Sequence, residues 1–303
     1  MKKILSLLAV SLIILASCSK DEENPIQPTT PTTNPSPSEP KLVFKFYFDS
    51  TAARLDNFGN PSTIPAGNAA QSPKFNQLSF HSLELAPDSF TAVGFGEIVY
   101  KGPETTAGGS TAVDFDKAII TTDGAIAYSK PLSQITPGTY KWLRSSLAYQ
   151  NYNIQFLSNG NHLTGSLSSF VGFNNYITNY TINTQSVSVN NNKLQGYWGF
   201  ETTVLGNSYV SEGQSPGTTV PNPISNSSPI NPGSCVVTGD FPTPLTITGN
   251  EIADITVNIT LSTNNSFEWK DINSDGFFEP SDGTNPGDTV VDMGLRGLFP
   301  TWQ

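Results

Sequence analysis

Leu42, Phe44, Phe46 and Phe48 fall at every second position of Lys41-Leu-Val-Phe-Lys-Phe-Tyr-Phe48. Alternate residues of an extended chain point to opposite faces, so this run predicts a strand with one fully apolar face. The same period recurs along the chain. Leu78 and Phe80 alternate, and Leu83 and Leu85 do so in the opposite phase, which predicts a bulge near His81-Ser82. Further strands are expected at 91–100, 113–120 and 125–129, and a long one is expected from Pro137-Gly138-Thr139-Tyr140 to near Phe156. Asn190-Asn191-Asn192 predicts a hairpin between Ser186–Val189 and Leu194–Thr202, because Asn tolerates positive φ. Leu245–Thr248 and Ile255–Leu261 are expected to form a strand pair, and 204–234, rich in Gly, Ser, Pro and Asn, one long loop. No stretch of 41–303 carries a 3.6-residue period. The expected class is all-β: an antiparallel β-sandwich, one large or two small.

The first forty residues are of another kind. Lys2-Lys3 precede an apolar run of 13 residues, Ile4 to Ala16, as in a secretory leader. As a helix it would reach about 20 Å, too short to span a bilayer. Its end, Leu15-Ala16-Ser17-Cys18, resembles the lipobox of bacterial lipoproteins. The resemblance implies a signal peptide over 1–17, acylation of Cys18 and attachment to a membrane. Several acyl chains, each adding ~0.8 kcal/mol per buried methylene, would hold firmly. Lys20-Asp21-Glu22-Glu23 resembles the surface-export signal of Bacteroidota lipoproteins, implying an outer-membrane protein on the cell surface. Pro25, Pro28, Pro31, Pro35, Pro37 and Pro40 punctuate the Thr, Ser and Asn that follow. Such a segment has too little apolar surface to offset ordering, and its prolines favour extended polyproline II. Residues 18–40 therefore read as a flexible, lipid-anchored tether before a β-sandwich region at 41–303.

The net charge of −10 falls to about −12 when Lys2 and Lys3 leave with the leader. No basic patch is visible, which excludes nucleic acid as a partner. Charged residues make up only 13%, about half the usual share. Asn, Ser, Thr and Gln supply the polar surface. With Cys18 acylated, Cys235 is the sole remaining cysteine, so no intrachain disulfide can form. Its expected role is a buried small hydrophobe.

One motif carries chemistry. Asp271-Ile-Asn273-Ser-Asp275-Gly276-Phe277-Phe-Glu279-Pro-Ser-Asp282 places oxygen side chains at positions 1, 3, 5, 9 and 12, with Gly at 6. A hard cation such as Ca²⁺ takes six to eight oxygens, and a loop of this spacing wraps around it. Asp271, Asn273, Asp275, Glu279 and Asp282 are the candidate side-chain ligands, and Phe277 would contribute its carbonyl. Asp at position 12, where the EF-hand pattern has Glu, resembles the calcium loops of dockerin repeats. The expected strand at Trp269 and the break at Pro280 put this loop on a β scaffold.

The order of elements also resembles the MbnP-like β-sandwich family of secreted bacterial proteins. The matching pieces are Phe44–Phe48, Leu78–Leu85, Pro137–Tyr140, Leu194–Glu201 and 245–261. That resemblance implies copper held through His and Trp, but this chain offers only His81 and His162, without ligand spacing. Asp49-Ser50-Thr51 and Asp288-Thr289-Val290 resemble Bacteroidota O-glycosylation sites.

The reading that follows is a surface-displayed binding module for a glycan, peptide or protein, stabilised by calcium, with no catalytic residue assigned. Tyr149, Tyr152, Phe173, Tyr176, Tyr180 and Trp198 are either stacking platforms for sugars or core residues. A glycoside hydrolase is the alternative: it needs two acids ~5–10 Å apart, from Glu97, Glu201, Asp240 and Glu251. Serine and zinc hydrolysis lack their motifs. A structural or adhesive envelope protein is the third reading.

Overall fold

The computed structural model describes residues 39–56, 59–215, 226–281 and 286–303. These hold β-strands and two 3₁₀ turns, Phe115–Lys117 and Leu132–Gln134, with no α-helix among them. Glu39–Gln303 form one compact unit. Antiparallel sheets pack as a sandwich, with parallel pairing at two places. The larger sheet runs Asn207–Gln214, Tyr197–Val204, Asn161–Phe170, Gly138–Ser158, Lys74–Ala86, Glu97–Lys101. Facing it is a four-stranded sheet in the order Leu298–Trp302, Ile255–Ser262, Lys41–Asp49, Ile126–Pro131. Two small sheets, around Asn174–Thr181 and Phe267–Lys270, pack against the larger sheet.

The apolar faces read from the alternation make the main core. Leu42, Phe44 and Phe46 pack with Leu78, Phe80, Leu83, Leu85, Leu143, Val257 and Ile259, all at most 2% exposed. Leu78 and Phe80 share that core with Leu83 and Leu85 because the register slips between Phe80 and Ser82, leaving His81 as the extra residue. The bulge lies where the phase change predicts it. A second cluster (Phe75, Tyr152, Ile154, Phe156, Phe267, Trp269, Phe278) seats the small sheet around Phe267–Lys270. Gly138–Ser158 serves the whole sandwich: its 21 residues pair first with Cys235–Ile247, then with Asn161–Phe170.

Four expectations are corrected. The strands at 245 and 255 do not pair with each other. Cys235–Ile247 joins Gly138–Ser158, whereas Ile255–Ser262 lies parallel to Lys41–Asp49 in the opposite sheet. Each has an apolar face, and the two faces meet across one core, Leu245 and Ile247 opposite Val257 and Ile259. Asn190 does adopt φ +51°, but within a continuous strand, Ser186–Leu194, that pairs with Asn174–Thr181. The chain turns at Gln195-Gly196 instead. Within 204–234, Asn207–Gln214 is a strand antiparallel to Tyr197–Val204, joined through Leu205 (φ +50°) and Gly206 (φ +81°). Two successive positive-φ residues make the tight turn that suits strand twist. Finally, the stretch 91–100 is a strand only from Glu97, and 113–120 is broken by the turn at Phe115–Lys117.

The chain enters at one end of the sandwich. There the Leu132 amide donates to the Pro40 carbonyl (2.9 Å) and the Lys41 amide to Asp254 (2.8 Å). The loop that begins at Asp271 lies at the other end, where the Leu157 amide donates to the Phe278 carbonyl (2.7 Å) near the close of the long strand.

Candidate calcium loop and surrounding surface

Phe267–Lys270 brings the chain into the loop and Thr289–Asp292 takes it out, the two pairing through Trp269–Val290 and Lys270–Thr289. Two buried anchors fix the excursion. Trp269 and Phe267 hold its entry in the second core cluster, and Phe278 returns to them mid-loop at ring distances of 5.6 and 5.1 Å. Between the anchors the backbone winds tightly, with Ser274 at φ +61° and Gly276 at φ +79°. The latter is the sharp turn for which position 6 requires glycine.

Side-chain oxygens of the loop turn inward on its own backbone. Asp271 accepts from the Ser274 and Gly276 amides (2.8 and 2.9 Å), and Asp275 accepts from the Phe277 amide (2.8 Å). The Asn273 side-chain amide donates to both Asp275 Oδ2 (3.2 Å) and Glu279 Oε2 (2.7 Å). Four of the six expected ligands, Asp271, Asn273, Asp275 and Glu279, thus belong to one hydrogen-bonded loop. The Phe277 ring is nearly half exposed and meets the His162 ring edge-on at 4.7 Å. Asp282 lies outside the described residues, as does Cys18.

Asp288 is the residue that the loop spacing did not single out. Its carboxylate accepts from the Ile272 amide (3.0 Å) and the Glu279 amide (2.8 Å), and its own amide donates to the Glu279 carbonyl (2.7 Å). It ties the two arms of the loop together. The loop spacing does not reach it, because its partners lie 16 and 9 positions away.

The donors available here are all oxygens, the chemistry of a hard divalent cation. Among the described residues none of the loop carboxylates pairs with Lys or Arg. Nor do three His, Cys, Asp or Glu side chains stand together there as a ready metal group.

No family model, curated protein or solved structure matches this chain. Its own residues must carry the functional argument.

The acids offered for glycoside hydrolysis sit on separate strands and loops. Glu201, 2% exposed, accepts from the amides of Asn183, Thr184 and Gln185 (2.9–3.0 Å) and from the Thr184 hydroxyl (2.5 Å). Burial alone would raise its pKa. The Thr184 hydroxyl and the amides of Gln185, Thr184 and Asn183 outweigh it and hold the carboxyl below its ordinary value. Glu251 caps the turn at Thr248–Gly249, whose amides lie 2.6 and 3.0 Å away. Glu97 accepts from the Thr136 hydroxyl (2.6 Å), and Asp240 is exposed on Cys235–Ile247.

Tyr149, Tyr152 and Tyr180 are core residues, at most 3% exposed; Phe173, Tyr176 and Trp198 are half-buried. Cys235 is half-buried rather than fully enclosed, packed against the main core. Burial, with the Asp292 charge second, pushes its thiol up to about 12.

Proposed function

We propose that this chain is a lipid-anchored binding module displayed on the outer membrane, its β-sandwich stabilised by Ca²⁺ in the 271–282 loop. The observation that carries the anchor is the order of the N-terminal features. A lipobox-like Leu15-Ala16-Ser17-Cys18 closes the apolar run, and a proline-rich stretch leads to the first strand at Lys41. Support for the cation comes from the Asn273 amide, which bridges Asp275 and Glu279 in a loop where no Lys or Arg pairs with the described carboxylates. Asp271, Asn273, Asp275, Glu279, Asp282 and the Phe277 carbonyl would hold the ion, with Asp288 keeping the two arms together. Bound there, Ca²⁺ neutralises the loop carboxylates and secures the C-terminal strands against the second core cluster. Its role is structural. The working surface is a polar, acidic exterior suited to a glycan, peptide or protein. Glu201 and Glu251 are engaged in holding turns, which favours the binding reading over a paired-carboxylate hydrolase.

Two measurements test this. Native protein taken from membranes should carry fatty acid on Cys18 by intact mass, and Cys18→Ala should release it to the soluble fraction. The mature protein should melt at higher temperature in millimolar Ca²⁺ than in chelator. A midpoint indifferent to chelator removes the metal, and a protein without acyl mass removes the anchor.

A further inference from the structure

Trp302 lies at the end of the sandwich where the chain enters, outside any motif discussed so far. Its strand, Leu298–Trp302, is the edge of the four-stranded sheet, pairing Trp302 with Val257. Across from it, Cys235–Ile247 loses register with Gly138–Ser158 between Asp240 and Leu245. The departing segment, 241–244, reaches the opposite sheet, and the Thr243 carbonyl accepts a 2.8 Å hydrogen bond from the Trp302 indole N–H. The half-buried indole packs against the main core. Its polar atom is already satisfied and its orientation fixed. An open depression of about 200 Å³ remains, lined by Pro242, Thr243, Thr301 and Trp302.

We propose that this depression is a subsite for one neutral hexopyranose unit of an extended polysaccharide, which rests on the binding-module reading above and gives its ligand class. A pyranose ring has an apolar face of C–H bonds and a rim of hydroxyls. The indole and the Pro242 ring offer flat apolar surface to the face, and a locked indole loses little entropy on binding. Thr243 and Thr301, both exposed, are the polar residues that line the depression. No charged side chain lines the depression, and the chain's −10 charge repels uronic or sulfated polymers. A proline-rich peptide is the competing occupant. Its recognition needs a groove lined by several aromatics, and here there is one.

The test is affinity electrophoresis of the full mature chain in gels containing neutral glucan, mannan, galactan or xylan, alongside Trp302→Ala, Trp302→Phe and Thr301→Arg. Thr301→Arg fills the depression from an exposed strand position and leaves the indole's packing intact, so its melting midpoint should match the parent. At least one polymer should retard the parent. Trp302→Ala and Thr301→Arg should weaken that retardation about tenfold, the scale of one lost aromatic stack, and Trp302→Phe by less. The subsite is overturned if no neutral polymer retards the parent, if retardation survives in Thr301→Arg, or if only a proline-rich peptide binds. Capture of an envelope ligand equally by the parent and Thr301→Arg would keep the binding module and remove Trp302 from it.

Discussion

Two ways of holding a loop with carboxylates coexist in this molecule. At 182–186 and at 87–96 the carboxylate comes from a strand beneath the loop and is buried. Glu201 gathers three amides and a hydroxyl, and Glu84, 2% exposed, accepts from the Gly94 and Gly96 amides (3.0 and 2.7 Å) beside Arg144. At 271–281 the carboxylates belong to the loop itself: Asp275 is exposed, Asp271 and Glu279 are half-buried, and Asp275 and Glu279 share the Asn273 amide. A buried carboxylate saturated by N–H donors sets its loop's shape whatever the solvent contains. Loop carboxylates close to the surface keep unused lone pairs, so the shape of their loop should follow the ions in solution.

The buried class should therefore give the largest losses. Glu268, 3% exposed, lies only three positions before the exposed loop yet belongs with Glu84 and Glu201. It pairs with Arg54 and, at 3.1 Å, with Arg296, and it accepts from the Asn68 side chain (2.6 Å). Glu268→Ala removes the carboxylate that Arg54 and Arg296 share, leaving Arg54 to the Asn265 carbonyl and Arg296 to Asp292, and should cost about 3 kcal/mol by urea denaturation. A loss below about 1 kcal/mol would erase the distinction, since exposed pairs are worth as much.

Glu201→Gln should come next, at about 2 kcal/mol, because a neutral amide cannot accept from three amides and a hydroxyl as a carboxylate does. Its pH dependence has a definite sign. The folded carboxyl titrates below its ordinary value, so its stabilisation is complete above the unfolded value of ~4.3 and lost as pH falls through the lower, folded one. The gap between wild type and Glu201→Gln should close on acidification across that window. Equal gaps at neutral and strongly acid pH would mean that the charge contributes nothing.

The same division explains what sequence could convey. Lys41–Asp49, Lys74–Ala86 with its bulge, and the long central strand were legible because each buries an apolar face, and burial writes a period of two into the chain. Asn207–Gln214 buries almost nothing, so no period marks it, and its turn is Leu-Gly rather than Asn-Gly. Partner choice is likewise silent: alternation says that 245–247 and 255–261 each have a core face, not that they face each other across the core. At the candidate site, the spacing from Asp271 to Glu279 and the turn at Gly276 were readable since they are local. Asp288 and Trp302 were not, because what makes them informative is contact with Ile272 and Glu279, or with Thr243, brought close only by folding.

The smallest expected effect makes the sharpest comparison. Asp275→Asn keeps an oxygen to accept from the Phe277 amide, now 2.8 Å from Oδ1, and removes one negative charge from beside Asn273 and Glu279. In chelator the variant should differ from the parent by no more than about 0.5 kcal/mol, as for an exposed polar exchange. In saturating Ca²⁺ the parent should rise, by about 2.7 kcal/mol at a hundredfold excess over Kd, and Asp275→Asn should lag far behind. Glu201→Gln should behave in reverse, destabilised alike with and without the ion. Should Asp275→Asn instead lose as much in chelator as in calcium, its carboxylate would be a structural cap like Glu201, and the exposed loop would need no cation to keep its shape.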